Sequence, residues 1–90
     1  MNKAILIVTS DWEGLFVNGK LVEEGHTLNQ GHDRIRYFQA IAKRYNFNLN
    51  DLEVGRVTAE YEKELEDCGS FPESVEDVQY YLLEVERKAW

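Results

Sequence analysis

Residues 15–22 of this chain read Leu-Phe-Val-Asn-Gly-Lys-Leu-Val. Asn-Gly supplies the two positive-φ positions of a type I′ turn, and short apolar segments stand on both sides of it. The stretch therefore predicts a β-hairpin with strands near residues 14–17 and 20–24. In that hairpin Val17 is expected to pair with Lys20, and Leu15 with Val22.

An apolar segment before the hairpin predicts a central strand. Ala4 to Val8 is continuously apolar and rich in β-branched residues, which indicates a strand near residues 3–9 that is buried on both faces. Such a strand needs a neighbour on each side, so the hairpin alone does not complete the sheet. The segment is also too short for the core of a signal peptide or for a membrane span.

Two helices are predicted in the middle of the chain. The first, near residues 32–45, has an apolar stripe formed by Ile35, Phe38, Ile41, Ala42 and Tyr45. Asn50 followed by Glu53 resembles a capping box and predicts a second helix near residues 51–67. The stripe of this second helix consists of Val54, Val57, Thr58, Tyr61, Leu65 and Cys68. Because Cys68 belongs to it, a buried thiol is expected.

The end of the chain leaves one choice open. Pro72 suits the first turn of a short helix near residues 72–78. Residues 80–85, Tyr-Tyr-Leu-Leu-Glu-Val, fit a helix and a strand equally well. The two-sided apolarity of the first strand favours a strand near residues 79–86 beside it. Residues 1–90 are thus expected to form a single α+β domain, with a small antiparallel sheet packed against helices.

The formal charge is concentrated in the last part of the chain. Residues 1–59 hold seven acids and seven bases, whereas residues 60–90 hold ten acids and three bases, so the net charge of −7 lies on the latter. The acidic balance argues against direct binding to nucleic acid. A single cysteine excludes an internal disulfide and fits a cytoplasmic protein.

The acidic block is the first candidate binding surface. Projected onto the second helix, four carboxylates lie together opposite the apolar stripe: Glu53, Glu60, Glu64 and Asp67. Such a row can dock on a basic protein surface, although a solvated face that keeps the domain soluble is the simpler interpretation. A third interpretation is that these acids pair with the basic first helix, within one subunit or by self-association.

The polar connection at residues 25–34 is the second candidate. It ends at a helix N-terminus, whose free N–H groups favour anions. The residues available to a nucleotide or another small anion are Trp12, His26, Asn29, Gln30, Gly31, His32, Arg34 and Tyr37. The structural interpretation is that Thr27, Asn29 or Asp33 caps the helix and Arg34 pairs with a carboxylate.

No catalytic or metal-binding pattern is recognised. His26 and His32 do not have a known ligand spacing, and the acids are expected to be uniformly exposed rather than held in the unlike environments that acid–base catalysis needs. The chain is therefore predicted to be neither an enzyme nor a binder of a metal or cofactor.

Residues 10–20, Ser-Asp-Trp-Glu-Gly-Leu-Phe-Val-Asn-Gly-Lys, with Glu24-Gly25-His26 behind them, resemble short uncharacterised proteins of bacteriophages and other bacterial mobile elements. The resemblance carries no functional motif, so it assigns no residue a role. It implies a small non-enzymatic interaction protein. An inhibitor or adaptor is the leading expectation, and a protein that sequesters nucleotides is the alternative.

Overall fold

The computed structural model describes residues 2–26, 28 and 33–87. The strands are β1 (Ala4–Val8), β2 (Glu13–Val17), β3 (Lys20–Gly25), β4 (Glu53–Val57) and β5 (Leu82–Arg87). The helices are α1 (Arg34–Tyr45), α2 (Ala59–Cys68) and α3 (Glu76–Gln79), and a 3-10 turn covers Leu49–Asp51. The α+β prediction is confirmed.

The strands form one sheet in the order β3-β2-β1-β4-β5. The strand β1 lies at the centre with a neighbour on each side, as its apolar sequence predicts. Its pairing with β4 is parallel, whereas the other three pairings are antiparallel. The sheet is therefore mixed but mostly antiparallel, and the parallel pairing of β1 with β4 was not predicted.

The predicted hairpin is β2–β3. Asn18 and Gly19 have φ values of 50° and 84°, which are the positive angles of a type I′ turn, and Val17 pairs with Lys20. Further along, Phe16 pairs with Leu21 but Leu15 pairs with Glu23, so Val22 is an extra residue in a β-bulge. The predicted pairing of Leu15 with Val22 is wrong for this reason.

The second helix is shorter than predicted because its first part is the strand β4. Val54 and Val57 fit a helical stripe, but they also suit a strand, and β1 needs a second neighbour. The helix begins at Ala59, and its N-cap is Thr58, whose Oγ1 accepts a hydrogen bond from the Tyr61 amide at 3.2 Å. The predicted Asn50–Glu53 capping box is absent.

The C-terminal segment 82–87 is a strand, which resolves the choice that the sequence leaves open. It pairs with β4 at the edge of the sheet rather than with β1, because β4 already occupies the second side of β1. The third helix covers only residues 76–79, not 72–78.

Helices cover both faces of the sheet. On one face α1 packs Phe38, Ile41 and Ala42 against residues of β1 and β2, including Leu6 and Leu15. On the opposite face α2 and α3 contribute Tyr61, Leu65 and Val78 to a second core with Ile7 and Phe16. The sheet therefore separates α1 from α2.

Two residues of the predicted apolar stripes are exposed. Ile35 lies in the first turn of α1 and is 46% exposed. Cys68 is an exposed free thiol in the last turn of α2, where residues 66–70 are all exposed. The prediction of a buried thiol is wrong because this end of α2 extends past the core.

Candidate partner-binding face

The helix α2 presents carboxylates to solvent on a firmly held backbone. Tyr61 and Leu65 anchor it in the core, with 8% and 7% of their surfaces exposed. Thr58 caps its first turn, and Gly69, at φ 79°, ends it in the left-handed conformation that glycine adopts readily. Glu60, Glu64 and Asp67 are exposed on its outer side. We call these three residues the outer acidic face.

The outer acidic face has no cationic partner in the described part of the chain. The ion pairs there join Lys3 to Glu53, Arg34 to Glu13, and Arg44 to Glu23. None of them reaches α2, although Lys63 lies on the same helix. The carboxylates of this face are thus available to another molecule.

The basic residues of α1 lie on the far side of the sheet from these carboxylates. This helix holds four cations and no acid along its length: Arg34, Arg36, Lys43 and Arg44. Since α1 and α2 pack against opposite faces of the sheet, a pairing of their charges inside one molecule does not form. Of the interpretations drawn from the sequence, an external partner, self-association and solubility stay open.

Glu53 does not belong to the acidic face. It is a residue of β4, and Oε1 of its carboxylate lies 3.5 Å from Nζ of Lys3. Its predicted place on the second helix is wrong because that helix starts six residues later, at Ala59.

The pKa of the buried tyrosine of α2 is raised by its surroundings, which include acidic residues. Burial raises the pKa of Tyr61, and the nearby Tyr81, Glu64 and Asp77 raise it further. Its ring stacks on that of Tyr81, with centroids 4.2 Å apart and planes 7° from parallel.

The residues predicted to bind an anion do not form one described site. Trp12 and His26 contact each other on the α2 face of the sheet, with ring centroids 4.7 Å apart. Arg34 and Tyr37 lie on the α1 face. The remaining four, Asn29, Gln30, Gly31 and His32, lie outside the described residues.

Arg34 is engaged by the one buried acid among the described residues. Glu13 is 6% exposed, and its Oε1 and Oε2 accept hydrogen bonds from the Arg34 guanidinium at 3.2 and 2.6 Å. The amide of Leu28 also donates to Glu13, at 3.1 Å. The guanidinium carbon stands 5.1 Å from the centre of the Phe38 ring. This bidentate pair joins α1 to β2, and it shows that Glu13 departs from the predicted uniform exposure of the acids.

The start of α1 agrees with the interpretation in which a residue of the loop caps the helix. Asp33 is the N-cap, and its Oδ1 accepts from the amides of Ile35 and Arg36 at 3.0 and 3.3 Å. The first amides of the helix are therefore already partly satisfied by the chain itself.

Two carboxylates that were not among the predicted site residues lie on the other flank of α2. Glu62 and Glu66 are one helical turn apart and line a cleft with Trp12 and His26. A helical projection places them together, but their cleft partners come from loops whose approach to α2 has no local sequence signal.

No family model, curated protein or solved structure matches this chain. The described helices include none with the length and apolarity needed to cross a membrane. The resemblance to proteins of bacteriophages and mobile elements stays a prediction.

Proposed function

We propose that this protein is a non-enzymatic interaction module that binds a basic protein surface through the outer acidic face. The role is that of an inhibitor or adaptor of the kind found in bacteriophages. The observation that supports it best is that Glu60, Glu64 and Asp67 are exposed, anchored on one helix and without a cationic partner among the described ion pairs. Such a one-sided field speeds encounter with a basic surface.

The position of the charges favours a binding role over solubility alone. Glu60 and Glu64 are like charges four residues apart, and Asp67 lies at the negative end of the helix dipole, so both arrangements oppose helix stability. Solubility is served as well by charges of both signs that are dispersed over the surface. A cluster that costs stability is more readily explained by a partner.

The test compares two triple variants of equal net charge. Glu60→Gln/Glu64→Gln/Asp67→Asn neutralises the outer acidic face, and Glu73→Gln/Glu84→Gln/Glu86→Gln neutralises three exposed acids elsewhere. The probe is a peptide rich in arginine and lysine, and its affinity is measured by calorimetry at low salt. We expect the first variant to lose about tenfold more affinity than the second. Equal losses, or unchanged binding by the first variant, would falsify the proposal.

Self-association is the second form that this proposal takes. The basic α1 and the acidic α2 lie on opposite sides of the molecule, so one copy can present α1 to the α2 of the next. Such a head-to-tail contact does not close by a two-fold axis. Self-association is measured by sedimentation velocity at low and at physiological salt concentration. Assembly that disappears in Arg36→Glu/Lys43→Glu and in the outer-face variant supports it, and a monomer at both salt concentrations excludes it.

The alternative proposal, a protein that sequesters a nucleotide or another small anion with the 25–34 loop, has less support. Arg34 is paired with Glu13, and Asp33 caps the helix. A panel of nucleotides in thermal unfolding tests this alternative. Stabilisation of the native chain that is absent in Arg34→Ala supports it, and no shift with any nucleotide contradicts it.

We infer that the protein works in the cytoplasm. The exposed free thiol of Cys68 is typical of a reducing compartment. Binding of a partner by the chain under reducing conditions is the expected result.

A further inference from the structure

A cleft of about 220 Å³ lies between α2 and the loop that joins β1 to β2. Trp12 and Leu65 give it apolar walls, and three acidic residues also line it: Asp11, Glu62 and Glu66. It is smaller than the range of about 300–1,000 Å³ that is typical of sites for whole small-molecule ligands. Its size suits one long side chain.

The indole of Trp12 is held in place at this cleft. Its Nε1–H donates to Oε1 of Glu24 at 2.9 Å, and its ring contacts His26 edge-on. The backbone amide of Trp12 donates to Oγ1 of Thr9 at 2.9 Å, and the Thr9 hydroxyl donates to the Trp12 carbonyl at 3.0 Å. A ring fixed in this way offers a binding surface whose ordering has no further entropic cost.

The carboxylate of Glu62 is also oriented before any ligand arrives. Its Oε1 accepts from the amide of Ser10 at 3.0 Å, and its Oε2 lies 3.3 Å from the Ser10 hydroxyl. Each oxygen keeps a second lone pair for another donor. Glu66, one turn further along α2, adds a second negative charge at the same cleft.

We propose that this cleft binds the guanidinium group of an arginine side chain on the partner. The inference rests on the proposed function and names the contact by which that basic surface is recognised. A planar guanidinium donates two parallel hydrogen bonds to a carboxylate and also stacks on an aromatic face, and Glu62 and Trp12 provide these two elements. An anion is repelled by the three carboxylates, and an ammonium group lacks the planar fork.

The test uses three small probes on the full chain: Nα-acetyl-arginine methylamide, the citrulline analogue as its neutral isostere, and the lysine analogue. Binding is followed in ¹H–¹⁵N spectra by the Trp12 indole N–H and the Ser10 amide. Trp90→Phe assigns the indole signal, because the chain has two tryptophans. We expect a saturable shift of both signals with the arginine probe and none with citrulline.

Two variants, each lacking one carboxylate, show whether the arginine probe binds at the cleft. Glu62→Gln keeps an acceptor for Ser10 but removes the charge, and we expect it to raise the Kd of the arginine probe about fivefold. Glu84→Gln is the matched control: it removes one exposed acid of β5, outside both the cleft and the outer acidic face, and is expected to leave that Kd unchanged. Equal weakening in both variants shows a general charge effect and overturns the inference.

The other outcomes are equally decisive. Equal shifts with citrulline, tighter binding of lysine, or no shift at all each overturn the inference. If the basic peptide binds and perturbs only the outer acidic face, the proposed function stands and the arginine cleft fails. If the arginine probe binds the cleft while the outer-face variant binds the peptide as the native chain does, the cleft stands and the proposed outer-face function fails.

Discussion

The ion pair between Glu13 and Arg34 could be predicted from the sequence only in part. The residue type and helix position of Arg34 predict that it meets a carboxylate. Its partner is 21 positions away and is brought to it only by the packing of α1 on β2. Several acids in the sequence are equally plausible partners of Arg34, so only the tertiary structure selects Glu13.

This pair predicts a measurable coupling. Arg34→Met leaves the buried Glu13 carboxylate with the Leu28 amide as its remaining donor among the described residues, and we expect a loss of about 2 kcal/mol in the free energy of unfolding. The value lies below the usual range for buried pairs because the Arg34 side chain is 35% exposed. Glu13→Gln should also destabilise, and the double variant should lose less than the sum of both. Urea unfolding measures all three, and strict additivity would show that the pair contributes no interaction energy.

The buried tyrosine of α2 predicts a change in alkaline stability. Burial, first of all, raises the pKa of Tyr61 above its ordinary value of about 10. The folded state therefore keeps the phenol proton to a higher pH than the unfolded chain does. The stabilisation is fully present below about pH 10 and is lost as the pH rises through the raised pKa.

Tyr61→Phe removes this titration and keeps the ring that stacks on Tyr81. We expect the variant to lose less stability than the native chain between neutral pH and about pH 11, as measured by urea midpoints. Tyr80→Phe is the control, because Tyr80 is 89% exposed. An identical alkaline loss in the native chain and in Tyr61→Phe would contradict the prediction.

At the scale of elements, local signals predict the hairpin and α1 well and mislead about β4. The Asn18-Gly19 turn and the stripe of α1 are complete within a few residues. Val54 and Val57 fit the periodicity of a helix and that of a strand. The strand forms because β1 needs a second neighbour, which is a long-range interaction that local patterns do not show. Because β4 fills that side of β1, β5 pairs with the outer edge of β4 instead. Elements whose state depends on a distant neighbour are therefore the ones that the sequence leaves ambiguous.

The true start of α2 gives a direct test of this boundary. Thr58→Ala removes the hydroxyl that accepts from the Tyr61 amide, and we expect a loss of about 1 kcal/mol in the free energy of unfolding. Thr58→Ser retains a capping oxygen and should stay within about 0.5 kcal/mol of the native chain. Thermal or urea unfolding followed by circular dichroism measures both. Equal losses in the two variants would mean that the methyl group, not the cap, matters at this position.

For the whole molecule, the sequence predicts that charge is unevenly distributed, but it does not predict which side of the sheet carries the acids and which carries the bases. The acidic excess after residue 59 and the basic first helix are visible in the chain. Their placement on opposite sides of a sheet depends on β4, which local patterns assign to a helix. The same applies to the cleft beside Glu62, since it is formed by a loop and a helix that lie far apart in sequence.

The separation of the two faces predicts that the acidic helix limits stability at low salt. Glu64→Gln/Asp67→Asn removes a like-charge contact with Glu60 and relieves the unfavourable end of the helix dipole. We expect a gain of about 0.5 kcal/mol in the free energy of unfolding at low salt, which disappears as the salt concentration rises. The control Glu84→Gln/Glu86→Gln makes the same change in net charge on β5 and should show no such gain. Urea unfolding at two salt concentrations measures it. A loss of stability in the α2 variant would mean that these carboxylates are satisfied within the molecule, in which case they are not available to a basic partner.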